Sequence, residues 1–118
     1  MAIATLYHNP RCSKSRAALS LLEQQALDLK VIEYLKTPPD RENLLTILNE
    51  LQVQPMSIVR TGDALFKQLG LDKNSLTQEH IINLLLEHPK LLERPIVQYN
   101  GKATVGRPIE NIESLLAE

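Results

Sequence analysis

Residues 2–34 read AIATLYHNPRCSKSRAALSLLEQQALDLKVIEY, and the order of elements in this stretch decides the fold class. Ala2 to Tyr7 is a short apolar run that ends at the turn-forming His8-Asn9-Pro10, which predicts a buried strand. Ser13 to about Gln25 predicts a helix with Ala17, Leu21 and Leu22 on its apolar stripe and Ser13 or Cys12 near its cap. Leu29 to Tyr34 predicts a second strand. A strand, a helix and a strand at this spacing imply a parallel pair.

Working outward, Pro38-Pro39-Asp40 opens a helix in which Leu44, Leu45, Leu48 and Leu51 recur at helical spacing until Pro55. Asp63 to Leu69 predicts a shorter helix stopped by Gly70. Thr77 caps another, with Ile81, Ile82, Leu85 and Leu86 inward and Pro89 at its end. Ile96 to Tyr99 and Lys102 to Val105 flank Asn100-Gly101, the dipeptide best suited to a two-residue hairpin turn. Pro108 opens a last helix burying Ile112, Leu115 and Leu116. The expectation is an α/β chain of the thioredoxin-like fold, one domain over 1–118 with a central helical insertion at about 39–92. An unrelated small α/β sandwich shares the same order of elements.

Composition narrows the function. The chain has 118 residues, 43% hydrophobic and 23% charged, enough for one core. Thirteen basic against fourteen acidic residues leave a net charge of −1, so nothing in bulk attracts nucleic acid or a membrane surface. The single cysteine excludes an internal disulfide and points to a cytoplasmic setting. Met1 to Tyr7 has no basic leader or cleavage site, and no apolar run reaches the length of a membrane span. The three histidines, His8, His80 and His88, have no metal-ligand spacing, and no bound cofactor is expected.

The chemistry is expected where the first strand meets the first helix, at His8-Asn9-Pro10-Arg11-Cys12-Ser13-Lys14-Ser15-Arg16. A cysteine at a helix N-terminus faces orphan N–H groups and the positive end of the macrodipole, both of which favour the nucleophilic thiolate. Magnitudes show that this is insufficient. A free thiol with pKa about 8.5 needs roughly 2.7 kcal/mol to fall by two units, and a helix terminus supplies about 0.3–1 kcal/mol, rarely about 2. A cation such as His8 or an arginine must contribute the rest. Free cysteines are often buried fillers, but such a cysteine has apolar neighbours, and here the flanks are Arg11, Ser13 and Lys14. The loop could also hold an anion without chemistry. A phosphatase-type loop, with five residues between Cys and Arg, is excluded because only three separate Cys12 from Arg16 and no glycine intervenes.

His8-Asn9-Pro10-Arg11-Cys12 resembles the His-Asn-Pro-x-Cys signature of glutaredoxin-coupled arsenate reductases. Arg94-Pro95-Ile96-Val97 and Gly106-Arg107-Pro108 resemble two further segments of that family, and Arg60 stands where the family has another arginine. The resemblance runs from about Leu6 into the C-terminal helix. It implies that Cys12 attacks arsenate to form a thiolate–arsenic(V) adduct, that Arg60, Arg94 and Arg107 hold the oxyanion, that His8 helps keep Cys12 ionised, and that Pro95 is a cis-proline opposite the cysteine. It also implies glutathione as co-substrate and glutaredoxin as partner, since one cysteine cannot resolve its own adduct. Arginine suits these roles because its planar fork is permanently charged. Ser13-Lys14-Ser15 departs from the Gly-Thr-Ser of the best-known members, which keeps another oxyanion or a glutathione-linked disulfide open as substrate. The same superfamily contains redox-linked regulators that bind RNA polymerase, whose loops resemble Cys-x-x-Cys, whereas residue 15 here is Ser.

Overall fold

The computed structural model describes residues 3–117. The chain divides into two compact units, one running up to Thr37 and resuming at Arg94, the other spanning Pro38–Glu93.

The first unit is a four-stranded sheet built from β1 (Ile3–His8), β2 (Asp28–Glu33), β3 (Ile96–Tyr99) and β4 (Lys102–Val105), with helices α1 (Ser13–Glu23) and α5 (Glu110–Leu116). The strand order is β2-β1-β3-β4. β1 runs parallel to β2, with Leu6 opposite Val31, and antiparallel to β3, with Leu6 opposite Val97. The β1-α1-β2 crossover forms as the opening stretch predicts, although Ala2 lies outside the described residues. Asn100 and Gly101 both have positive φ, 52° and 77°, which is the geometry a two-residue turn of the twisted hairpin requires.

Alternation along β1 places Ala4, Leu6 and His8 on one face. Ala4 and Leu6 join Val97, Ala18 and Leu22 of α1, and Ile112 and Leu115 of α5 in one aliphatic core. Each fully buried leucine here contributes about 1.5–3 kcal/mol. The stripe on α1 differs from the expected one: Ser15, Ala18 and Leu22 are buried, while Ala17 is exposed. The helix is turned so that a serine, not an alanine, faces inward at its first turn.

The second unit holds α2 (Arg41–Leu51), α3 (Ala64–Gln68) and α4 (Gln78–Glu87), with single 3-10 turns at Pro55–Ile58 and Pro89–Leu91. Asp40, Asp63 and Thr77 cap α2, α3 and α4 through side-chain oxygens that accept from Asn43, Leu65 and His80 N–H groups. Helix α2 packs on α4, and the Arg41–Glu79 ion pair ties them at the surface. Leu44 and Leu48 are buried as expected, but Leu45 is exposed and Ile47 takes the inward position. Leu86 is likewise only half-buried, with Leu84 inward in its place. No helix among the described residues is long and apolar enough to cross a membrane.

Candidate active site

The N-terminus of α1 meets the C-terminal end of β1, and Cys12 occupies the cap position in extended backbone, φ −95° and ψ 123°. The turn that delivers it is held by three hydrogen bonds. Cys12 N–H donates to the Asn9 carbonyl at 3.0 Å, Arg11 N–H to Asn9 Oδ1 at 3.0 Å, and Arg16 Nη1 to the Pro10 carbonyl at 2.9 Å. Arg16 therefore braces the loop.

Cys12 is buried, with 8% of its surface exposed. Burial pushes its thiol up. The Ser15 backbone N–H, the Arg107 and Arg94 guanidinium groups and the Lys14 backbone N–H together outweigh that effect and bring the pKa down to about 7. The direct contact is from Arg107 Nη2, 3.4 Å from Cys12 Sγ. Arg107 is steadied by a second bond, Nε to the Arg94 carbonyl at 2.9 Å. Arg94 engages the thiol too, and two further atoms of its guanidinium, Nε and Nη1, are buried with no hydrogen-bond partner.

Pro95 and Gly106 bring the two arginines together. The Arg94–Pro95 and Arg107–Pro108 peptide bonds are both cis, and Gly106 N–H donates to the Pro95 carbonyl at 2.8 Å. A Cβ at Gly106 would lie 2.7 Å from Ile112 Cδ1 and 3.0 Å from Pro95 Cγ, so a larger residue would have to displace the buried Ile112 side chain or the proline ring.

His8 differs from its expected part as a cation beside the thiol. It is 5% exposed and its Nδ1 lies 2.6 Å from Ser15 Oγ. Burial lowers its pKa, with Arg16 adding to the effect and Glu33 opposing it, so the neutral imidazole is favoured at pH 7. The positive charge at Cys12 comes from the arginines. Ser15 is the residue that sequence reading missed: its hydroxyl joins His8 and accepts from Asn9 N–H at 3.0 Å, while its own N–H serves the sulfur. A serine three residues after the cysteine, in the first turn of an otherwise apolar face, was the available signal.

Arg60 lies in the second unit, where Nη1 pairs with Asp63 at 2.9 Å, and Asp63 also meets Lys90 Nζ at 3.7 Å. No group of three His, Cys, Asp or Glu residues able to hold a metal ion occurs among the described residues.

The ArsC family model matches residues 7–115. The chain belongs to the ArsC family. An arsenate reductase from Neisseria meningitidis is 52% identical over 112 residues, covering 94% of this chain and 96% of that one. An arsenate reductase from Escherichia coli is 32% identical over 118 residues, covering 100% of this chain and 84% of that one. Among solved structures, an arsenate reductase from Vibrio cholerae superposes with a TM-score of 0.90 at 40% identity, covering 96% of this chain and 97% of the other. For this ArsC family chain the thioredoxin-like fold follows from both the sheet order and these neighbours.

Proposed function

We propose that this ArsC family protein reduces arsenate to arsenite, with Cys12 as the nucleophile and with glutathione and glutaredoxin as external reductants. The observation that carries the reading is Arg107 Nη2 at 3.4 Å from a Cys12 sulfur whose pKa lies at about 7. A thiolate populated to about half at neutral pH, set beside guanidinium forks that suit tetrahedral oxyanions, is equipped to attack one.

In the proposed cycle Cys12 Sγ displaces one oxygen of arsenate, which leaves as water, and forms a sulfur–arsenic(V) bond. Arg94 and Arg107 neutralise the remaining oxygens. A glutathione thiolate then displaces a second oxygen from the same centre, which leaves as water. The two sulfur–arsenic bonds so formed both break in the next step, where water returns to arsenic. Two electrons pass to arsenic as the Cys12–glutathione disulfide forms, and arsenite leaves. A glutaredoxin thiolate attacks the glutathione sulfur, and Cys12 departs as thiolate. The chain has one cysteine, so every later sulfur in this cycle comes from solution.

The test is turnover of arsenate with glutathione plus glutaredoxin, followed as NADPH consumption through glutathione reductase. Steady turnover is expected with the pair and almost none with thioredoxin as sole reductant. A stalled reaction should show one adduct on Cys12 by mass spectrometry. Full activity in Cys12→Ser, or with thioredoxin alone, overturns the reading.

A further inference from the structure

We propose that Arg11 and Lys14 form a docking pair for the carboxylates of the thiol that resolves Cys12, so that the site selects an anionic co-substrate over a neutral one. The inference rests on the reading above that this thiol arrives from solution.

The basic side chains around Cys12 fall into two groups. Arg94 and Arg107 are turned to the sulfur, and Arg16 is held by the Pro10 carbonyl. Arg11 and Lys14 are exposed, stand one residue before and two after Cys12, and neither side chain is engaged by a neighbour. No acidic residue occurs from Asn9 to Leu22 to compensate them, although the whole chain carries a net charge of −1.

Lys14 is also misplaced for helix stability. A cation in the first turn opposes the macrodipole, and α1 has no acidic residue there to offset Lys14, whereas the first turns of α2, α4 and α5 contain Glu42, Glu79 and Glu110, in α2 directly beside Arg41. A local choice that works against its own helix, at the rim of a reactive group, is expected where function sets the residue.

The size of the ligand separates these cations from the inner arginines. A compact oxyanion bonded to Cys12 is served by the guanidinium groups already at the sulfur. Side chains at the exposed rim suit a longer molecule whose negative groups stand away from its sulfur. Glutathione is such a molecule, with a carboxylate at each end, a thiol between them and a net charge of −1.

The experiment uses the native protein without arsenate or glutaredoxin. Glutathione disulfide is compared with the neutral 2-hydroxyethyl disulfide, and the rate of mixed-disulfide formation on Cys12 is followed by mass spectrometry. In either reaction the Cys12 thiolate attacks one sulfur, a new S–S bond forms, the old one breaks, and the second thiol leaves as thiolate, so no external oxidant is required. The readout is the ratio of the two rates within each variant, from which any change in Cys12 reactivity cancels.

One cation about 7 Å from a carboxylate in a water-like medium changes such a ratio about threefold. Arg11→Ala should therefore lower the ratio about threefold, the double change with Lys14→Ala about tenfold, and Arg11→Glu further than Arg11→Ala. Arg11→Lys should preserve it. Salt near 1 M should bring the native ratio toward that of the double variant. A ratio unmoved by both Arg11→Glu and the double change overturns the proposal. That failure would leave arsenate turnover standing, whereas absent turnover with the ratio intact counts against the functional reading alone.

Discussion

Replacing Arg107 with Met removes the fork from Cys12 while keeping most of the apolar stem, and the consequence can be worked from the site. The native thiol at about 7 lies some 1.5 units below an ordinary thiol at about 8.5, equivalent to about 2 kcal/mol in favour of the thiolate. Four donors act against burial: two backbone N–H groups and two guanidinium groups. A hydrogen bond to a charged group contributes about 1.5–3 kcal/mol, and solvent at the exposed Arg107 reduces this to about 1.4 kcal/mol, or one unit. The midpoint should rise to about 8, and the thiolate fraction at pH 7 should drop from about half to about a tenth. Alkylation by iodoacetamide across pH 5.5–10 should show Arg107→Met about fivefold slower at pH 7 and equal to native near pH 10. A native midpoint near 8.5, or a variant midpoint within a few tenths of native, would refute the reasoning.

The same shift sets a pH dependence of stability. A thiol whose folded pKa lies below its unfolded value stabilises the fold fully above about pH 8.5, and this stabilisation is lost as pH falls through about 7. In urea titrations the native protein should therefore gain about 2 kcal/mol over Cys12→Ser between pH 6 and 9.5, and Arg107→Met should lose more than half of that gain.

Two further outcomes are expected. Gly106→Ala forces a methyl group against Ile112 Cδ1 at 2.7 Å in a fully buried position, and should cost about 1–3 kcal/mol in urea unfolding; an unchanged midpoint contradicts the packing. Ser15→Ala leaves the Asn9 N–H and the buried His8 Nδ1 without the shared hydroxyl, a loss of about 1–3 kcal/mol at pH 7. Because burial lowers the His8 pKa, native stability should also decline as pH falls below about 6.5, and a flat acid limb would contradict that placement of the imidazole.

Much of the fold is local in origin and was legible for that reason. Asn100-Gly101 dictates its turn, the side-chain oxygens of Asp40 and Thr77 accept from the Asn43 and His80 N–H groups a turn further on, and the apolar run of β1 needs only a strand partner. Errors arose where a distant contact decides the outcome. Periodicity alone puts Ala17 inward, but the buried stripe of α1 runs through Ser15, whose hydroxyl meets His8 on a different element. Leu45 and Ile47 are both apolar, and only the packing partners of α2 determine which is buried. His8 read as a cation because its burial depends on Ser15, α1 and the core, none of which a turn sequence displays. The approach of Arg107 to Cys12 spans 95 positions, and only the motif resemblance hinted at it.

The start of α1 shows how stability and reactivity are coupled. Helices α2, α3 and α4 each have an oxygen accepting at their first turn, whereas α1 has a cysteine there and no side-chain cap. A good cap contributes about 1 kcal/mol, so a sulfur in that place leaves the helix end short of negative charge until the thiol ionises. The four donors aimed at the sulfur then have the thiolate as their acceptor. In the proposed cycle an arsenate adduct keeps negative oxygens at the same position, so the donors remain engaged. A Cys12–glutathione disulfide has no charge on the sulfur and withdraws that acceptor. The disulfide is therefore the state from which release of the Cys12 thiolate is most favoured, and a low-pKa sulfur is also the better leaving group when an outside thiolate attacks. The features that activate Cys12 toward an oxyanion thus also drive its recovery, provided the attack falls on the glutathione sulfur.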